Sequence, residues 1–471
     1  MSSDNPVAAV LLAAGGSSRF GQPKQLLEWE GRPLIAHLAD VAWAAGLSPI
    51  TVILGAEAER IAPVLAERSV RVLRNYRWAE GLGSSVALSV SVLMNSPAAV
   101  FLQVDQPFVT PHLLRALVSQ WRNTIPRPGI VAPTWEERLG SPVLFDRMLF
   151  PELAQLAADV GGRALFKAHA EKILPYPVTD PLLLADADTP DVFAQLQSLR
   201  RDPAALLPSI RAVISDMDGV LWRGSSPLPG LRNFFVLLEE HGLDYMLVTN
   251  NANQSVAHYV EKLKHLGIST TPNHVLNSAE ATGDYLAQHA SPHATVYVVG
   301  GPGLREVLTH RGFVLTDGNT ADYVVVGWNP TFTWEDMAKA TLLIRQGARF
   351  IGTNPDRSFP LEKGLVPGAG AQLALLEAAT DVAPFVIGKP EPVLYEQAIV
   401  RMRASPETTL VIGDRLDTDI LGGLRLGMPT AMVLSGINSL EDVHRSPIHP
   451  DLIFDDLESL TAAWRTRLEN R

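Results

Sequence analysis

The sequence predicts an α/β protein made of two Rossmann-like units in one chain. Three observations carry that expectation. Apolar strand-like runs alternate with amphipathic stretches of helical length from end to end, the βαβ signature of parallel sheets covered by helices on both faces. The chain has 471 residues, and at roughly 150 per domain that suggests about three structural units. Each half also opens on an apolar strand that empties into a polar loop, the place where open α/β sheets bind ligands.

The expected strands of the first half are Val7–Ala13, Ile50–Leu54, Val70–Leu73 and Ala99–Val104. Those of the second are Ala212–Ser215, Tyr245–Val248, Thr295–Val299, Tyr323–Val326, Phe350–Ile351 and Thr409–Ile412. A boundary is expected near Gln197 to Ser209, where paired arginines and two prolines separate an apparent helix from the next strand, giving units 1–200 and 210–471. The run Val7 to Ala14 has the length of a signal-peptide core, but no Lys or Arg precedes it and it flows directly into a Gly/Ser/Arg loop. A buried first strand in a soluble cytoplasmic protein is therefore expected, and no run of about 18 apolar residues suggests a membrane span.

The net charge of -11 has the wrong sign for a nucleic-acid footprint spread along the whole chain, so no nucleic-acid partner is expected. Cysteine is absent, which excludes disulfides, thiolate-bound zinc and cysteine nucleophiles. Any metal must be held by oxygen or imidazole. The histidines give no metal motif: His289 and His293 straddle Pro292, and His258 and His265 read as a helix stripe. Monomer and homo-oligomer both stay open.

The first loop runs from Leu12 to Leu27. Its small residues Ala13, Ala14, Gly15, Gly16 and Ser17 let backbone amides approach phosphate oxygens, and Arg19 and Lys24 can neutralise a triphosphate. Gly16 and Gly21 are spaced like the glycines of a Walker A loop, but the GK[ST] ending is missing and Pro23 precedes the lysine. A second loop, Asn75 to Val86, offers Gly83 and the hydroxyls of Ser84 and Ser85 to a nucleobase edge or ribose, although a plain helix cap explains either serine equally well. Asp105 ends an apolar strand as a lone carboxylate suited to Mg²⁺, or as a turn aspartate before Gln106-Pro107.

Taken in order, these segments resemble the nucleotidyltransferases of the molybdenum-cofactor branch, most closely its cytidylyltransferases, over residues 5 to 197. The resemblance rests on Leu-Ala-Ala-Gly-x-Ser-x-Arg-x-Gly-x-x-Lys, Asn-x-x-Trp-x-x-Gly-Leu-Gly-Ser-Ser, Asp105-Gln-Pro, Gly140-Ser-Pro-Val-Leu-Phe145, Asp159-Val-Gly-Gly-Arg163 and Asp186-Ala-Asp-Thr-Pro190. It implies a GT-A-like nucleotidyltransferase domain in which Arg19 and Lys24 hold the triphosphate and Asp105 carries Mg²⁺. Asp186, or else Asp188, would complete the metal site. It also implies CTP as donor, because Ala14 stands where guanylyl-transferring relatives carry Gly. Phe20 replaces the usual Met, and Ser141 stands where His or Asn is also common.

In the second half, Ala212-Val-Ile-Ser ends in Asp216-Met-Asp218, two carboxylates two residues apart at a strand terminus. One can attack phosphorus while the other protonates the leaving oxygen. Thr249, Asn250 and Asn251 end the next strand, Lys389 follows Phe385-Val-Ile-Gly, and Asp414 ends Leu410-Val-Ile-Gly with Asp419 five residues later as an orienting acid.

This ordered set resembles the haloacid dehalogenase superfamily of phosphohydrolases, in the branch with UMP phosphatase-like and p-nitrophenylphosphatase-like enzymes, from about Arg211 to Leu434. The resemblance implies a haloacid dehalogenase-like core with an inserted α/β cap at about residues 285–384, marked by Gly352-Thr-Asn-Pro-Asp356 and Pro367-Gly-Ala-Gly-Ala371. By position, Asp216 would form the aspartyl-phosphate and Asp218 would act as acid, then base. Thr249 and Lys389 would neutralise phosphate, Asn250 and Asn251 would shape the phosphate loop, and Asp414, Asp216 and the Asp218 carbonyl would hold Mg²⁺.

The expectation is a bifunctional enzyme acting on CTP or another NTP and on phosphorylated small molecules, with molybdopterin cofactor as acceptor. Two alternatives remain: a sugar- or polyol-phosphate nucleotidyltransferase fused to its pathway phosphatase, and a phosphatase with a nucleotide-binding regulatory unit.

Overall fold

The structure, a computed structural model, describes residues 6–17, 20–158, 160–178, 180–199, 203–361 and 364–469. The chain divides into two compact units, Met1–Asp202 and Pro203–Arg471. Among the described residues no helix is long and apolar enough to cross a membrane.

The sheet of the first unit runs, edge to edge, through Ile173–Pro177, Ile130–Trp135, Val143–Asp146, Ala98–Gln103, Ala8–Ala13, Ile50–Leu54 and Arg71–Arg74. Its first strand has no polar residue because both faces are covered. Ala9, Leu11 and Ala13 pack with the helices Leu34–Ala44 and Pro111–Asn123, whereas Ala8 and Val10 pack with Leu82–Val90 and Phe150–Leu153. Thr110 starts Pro111–Asn123 by accepting the Leu113 amide at 3.2 Å.

Two strands depart from the all-parallel expectation: the short Arg138–Leu139 pairs antiparallel with Ile130–Trp135 off the end of the main path, and a second lies within it. Val143–Asp146 lies antiparallel to both neighbours, Ala98–Gln103 and Ile130–Trp135. Only seven residues, 136–142, connect it to Ile130–Trp135, and a link that short cannot make the crossover a parallel pair requires. Ile173–Pro177 forms the edge, where Pro175 and Pro177 lose no ladder bond on the solvent side.

The second unit contains two parallel sheets. One runs Val275–Asn277, Asp244–Thr249, Ala212–Ser215, Thr409–Gly413, Thr430–Val433, Leu452–Phe454. The other, inserted between its strands, runs Val314–Leu315, Thr295–Val299, Tyr323–Val326, Arg349–Gly352, Phe385–Val386. A hairpin, Ser358–Leu361 with Gly364–Pro367, leaves the inserted sheet. Val296, Val298, Val325 and Ile351 of the insert share one apolar cluster with Ile214, Met246 and Val411 of the larger sheet. The insert is therefore seated on the core by buried hydrocarbon as well as by its polar loops.

Register places the functional loops of the larger sheet. Ser215 pairs with Leu247 on one side and with Ile412 on the other. The strands thus release Asp216, Thr249 and Asp414 along one edge, at the carboxyl ends of three adjacent strands.

Candidate active sites

In the first unit, Ala13 and Ala14 are buried and lead into Gly15, where a Cβ would meet nothing within 4 Å. The loop is held from beneath by Gln25, which is fully buried. Its Nε2 donates to the carbonyls of Ala13 at 2.8 Å and Gly15 at 3.0 Å. Ser17, in the left-handed region at φ 50°, donates to the Gln25 side chain at 3.3 Å and accepts the Lys24 amide at 3.0 Å. Trp78 closes over the same loop, so near that a Cβ on Gly55 would meet its Cβ at 2.5 Å and the Ala14 oxygen at 2.6 Å. Arg19 lies outside the described residues.

Lys24 Nζ reaches Asp105 Oδ2 at 2.5 Å, joining two residues 81 apart in sequence. The other oxygen, Oδ1, is buried with no hydrogen-bond partner. Asp186 stands beside this pair. The Ala187 amide donates to the Asp105 carbonyl at 2.7 Å, and Gln106 Nε2 donates to Asp186 Oδ1 at 2.9 Å. Loss of surrounding water raises the Asp186 carboxyl, with the charge of Asp105 next in weight and that of Asp188 adding to it, although its outer side stays open to solvent. Asp188 is exposed. An orphaned carboxylate oxygen next to a second, crowded carboxylate suits a hard divalent cation.

The second loop carries its own hydrogen-bond network. Asn75 Nδ2 donates to Ser84 Oγ and Ser85 Oγ, both at 2.9 Å, and Ser84 Oγ donates to the Gly81 carbonyl at 2.8 Å. These side chains are engaged with one another and with the loop backbone, because a tight turn into a helix leaves polar groups that must be satisfied locally. Gly83 has a packing reason of its own: a Cβ there would strike the Ala157 backbone at 2.8 Å.

A cavity of about 210 Å³ opens at the ends of the central strands. Gln103 Nε2 and Arg163 Nη2 both donate to Ser141 Oγ inside it, at 3.2 and 3.1 Å. A larger open groove of about 880 Å³, along Thr134–Glu137, Phe166 and Ile173, contains none of the predicted site residues.

In the second unit, Lys389 Nζ bonds Asp216 Oδ1 at 2.5 Å and Asp419 Oδ1 at 2.7 Å, across 173 and 30 residues of sequence. Asp419 also accepts the Arg415 amide at 3.2 Å, so both its oxygens orient neighbours. Asp414 accepts the Ile437 amide through Oδ2 at 2.7 Å, while its Oδ1 is buried and unpartnered. Asp216, Asp414 and Asp419 bring one oxygen each within 4.8 Å of one another. Glycines make the room: a Cβ on Gly219 or Gly436 would strike Asp414 Oδ2 at 2.3 or 1.9 Å, and one on Gly413 would strike the Asp419 Cβ at 2.1 Å.

Three carboxylates share one ammonium here. Burial would pull Lys389 down, but Asp216 and Asp419 outweigh it and hold the amine well above its usual range. Burial pushes Asp216 up, helped by Asp419 and Asp414 and opposed by Lys389. Burial first, and Asp419 second, take Asp414 to about 7. That excess of negative charge, together with the orphaned Asp414 oxygen, is what a divalent cation would relieve.

Thr249 is buried and its Oγ1 accepts the Asn251 amide at 3.2 Å. Asn251 in turn accepts the Asn253 amide at 3.0 Å, shaping the loop. Asn250 has a wider reach: its side chain pairs with the Lys389 amide at 2.8 Å and carbonyl at 2.9 Å, and its Nδ2 lies 3.3 Å from Asp356. The Asn250 carbonyl accepts Asn354 Nδ2 at 2.9 Å. Asn250 therefore ties the lysine loop to the Gly352–Asp356 segment of the insert.

Asp218 does not join the carboxylate cluster through its side chain. It is exposed, and its Oδ1 accepts Trp222 Nε1 at 2.8 Å. Sequence reasoning gave no role to Gln25, Trp222, Tyr259, Asp356 or Arg415. Tyr259 is buried beside Thr249 and Asp218 without a well-formed bond for its hydroxyl, and burial chiefly raises its phenol. Burial also raises Asp356, against the pull of Arg415 and Lys389.

Comparison with known proteins agrees with this division. Residues 9–173 match the model of the MobA-like NTP transferase domain. Residues 213–314 match the haloacid dehalogenase-like hydrolase model, and 386–460 match a further HAD-hydrolase-like model. An acid sugar phosphatase of Staphylococcus aureus is 39% identical over 252 residues, which is 54% of this chain and 97% of that protein. A p-nitrophenyl phosphatase structure from Archaeoglobus fulgidus is similar at a TM-score of 0.52 and 32% identity, covering 54% of this chain and 99% of that one. A 4-nitrophenylphosphatase structure from Thermotoga maritima gives 0.53 and 33%, with coverage of 55% and 98%.

Proposed function

Because the chain belongs to the haloacid dehalogenase-like hydrolases and carries a MobA-like NTP transferase domain ahead of the hydrolase, we propose that it is a bifunctional cytoplasmic enzyme. Its first unit transfers a cytidylyl group from CTP to a phosphorylated acceptor, the molybdopterin cofactor, releasing pyrophosphate. Its second hydrolyses a phosphomonoester through Asp216. The observation that carries the reading is the pair of carboxylate–lysine contacts at strand ends, Lys24 with Asp105 and Lys389 with Asp216.

Mg²⁺ suits both oxygen sites, held by Asp105 and Asp186 in one and by Asp216, Asp414 and the Asp218 carbonyl in the other, and it would neutralise phosphate oxygens there. In the first unit, Arg19 and Lys24 neutralise the triphosphate as the acceptor phosphate attacks the α-phosphorus and the bond to pyrophosphate breaks. In the second, Lys389 occupies Asp216 Oδ1 and leaves the other oxygen to attack phosphorus. The ester P–O bond breaks and Asp218 gives its proton to the leaving oxygen. Water then attacks the aspartyl-phosphate, returning a proton to Asp218 and freeing phosphate. Lys389 and Thr249 hold the phosphoryl charge.

The similarity to an acid sugar phosphatase favours a second reading, in which the phosphoester is that of a sugar or polyol and the acceptor is a sugar phosphate. One crossed experiment tests both units: pyrophosphate release from each of the four NTPs with molybdopterin or a sugar phosphate, and p-nitrophenyl phosphate hydrolysis, in Asp105→Ala and Asp216→Asn. Each variant is expected to lose one activity and keep the other. Undiminished transfer in Asp105→Ala, or undiminished hydrolysis in Asp216→Asn, defeats the corresponding assignment.

A further inference from the structure

The contact between Asp218 and Trp222 follows from a short turn. Leu221 N donates to the Met217 carbonyl at 2.8 Å, Gly219 N donates to the Trp222 carbonyl at 2.8 Å, and Gly219 takes φ 90° to let the chain reverse. The turn sets the two side chains face to face, and Trp222 Nε1 donates to Asp218 Oδ1 at 2.8 Å. The indole is fully buried among the residues of one core cluster, so its donor has every reason to keep that partner. From the helix Val256–His265, Lys262 Nζ sits 4.0 Å over the indole ring, and Tyr259, one turn earlier on that helix, lies within the field of the Asp218 charge. A cation on the ring face both pins the ring and polarises its N–H toward the carboxylate.

We infer that Trp222, braced by Lys262, is a positioning residue of the phosphatase half: it immobilises Oδ1 of Asp218 and so leaves Oδ2 as the oxygen that meets the leaving group. The inference rests on the reading of Asp218 as proton donor. Its consequence is selective. An acidic nitrophenol departs without a proton, whereas an alkoxide does not, so the hold on Asp218 matters in proportion to the basicity of the leaving oxygen. A tryptophan that only filled the core would make no such distinction.

The test is a leaving-group series on the full chain: p-nitrophenyl phosphate, phenyl phosphate and glycerol phosphate, read as kcat/KM, which reports the steps through phosphoenzyme formation. Trp222→Phe keeps the ring volume and removes the donor. We expect it to lose about 3-fold or less on the nitrophenyl ester and about 30-fold on glycerol phosphate, with Asp218→Asn steeper, at about 100-fold or more on glycerol phosphate. Lys262→Met should tilt the series the same way with a smaller slope. It also decides the matter should Trp222→Phe fail to fold. A flat series in the variants of Trp222 and Lys262, beside a steep one in Asp218→Asn, overturns the inference alone. A flat series in Asp218→Asn overturns the proton-donor reading on which it rests.

Discussion

Asp414 shows how a single buried carboxyl couples metal, pH and stability. An aspartate in the unfolded chain ionises near 3.8, whereas this one titrates at about 7, burial being the larger cause and Asp419 the next. Between those values the folded protein holds a proton that the unfolded chain has lost. Acid therefore favours the folded form through this group, and its penalty on stability grows as pH rises, reaching its full extent above about 7. A divalent cation held by Asp216 and Asp414 would cancel that penalty. Mg²⁺ is accordingly expected to raise the Tm of the second unit more at about pH 8 than at about pH 6, and Asp414→Asn should abolish the difference. Equal Mg²⁺ shifts at both pH values, measured by differential scanning calorimetry, would contradict this. Asp216 and Asp414 were legible as site residues because an acid at the end of an apolar run has little structural reason to be there. Gln25 was not, since nothing in its neighbourhood of the sequence announces that its amide holds up the carbonyls of Ala13 and Gly15.

Strands buried on both faces are the elements that announce themselves, as Ala8–Ala13 and Leu410–Ile412 within Thr409–Gly413 do, because a run covered on both sides is almost wholly apolar. Ile130–Trp135 and Ile173–Pro177 stayed hidden behind their prolines, which tolerate a strand only where a ladder bond is dispensable. The motif Pro367-Gly-Ala-Gly-Ala371 marked the inserted domain by resemblance alone, and its physical reason emerges only in three dimensions. The helix Ala369–Thr380 starts against the backbone of the Asp356 loop, with the Gly370 amide donating to the Asp356 carbonyl at 2.8 Å. A Cβ on Gly370 would lie 2.2 Å from the Pro355 oxygen, and one on Gly368 2.2 Å from the Asp356 oxygen. Gly370→Ala must therefore displace the loop that Asn250 and Asn354 connect to Lys389. We expect a loss of about 1–3 kcal/mol in stability of the second unit and a fall of about 10-fold in phosphatase kcat/KM. Nucleotidyl transfer should be unchanged, and wild-type hydrolysis in this variant would refute the account.

At the scale of the whole chain, the two reactive centres have the same chemical logic in unrelated sequences: a strand end, a carboxylate, a lysine delivered from elsewhere in the chain, and a carboxylate oxygen left without a partner. A protein of net charge -11 attracts anionic phosphates poorly by its overall field. Local cations must do that, and the orphaned Asp105 and Asp414 oxygens are where a metal would supply them. Each unit also has its own apolar interior, one drawn from residues between Val7 and Leu196 and the other from residues after Pro203. Separate cores imply separate cooperative units. Calorimetry of the full chain should then resolve two unfolding transitions with distinct ligand responses. CTP with Mg²⁺ should raise one Tm, and orthophosphate with Mg²⁺, the product pair of the hydrolase, should raise the other. At a ligand concentration 100 times Kd the stabilisation is about 2.7 kcal/mol, which for a unit of this size is a shift of about 5–11 °C. Asp105→Ala should erase the CTP response and leave the phosphate response in place, and Asp216→Asn should weaken the second alone. A single transition raised by both ligands would mean that the chain unfolds as one body and that the two centres are thermodynamically linked.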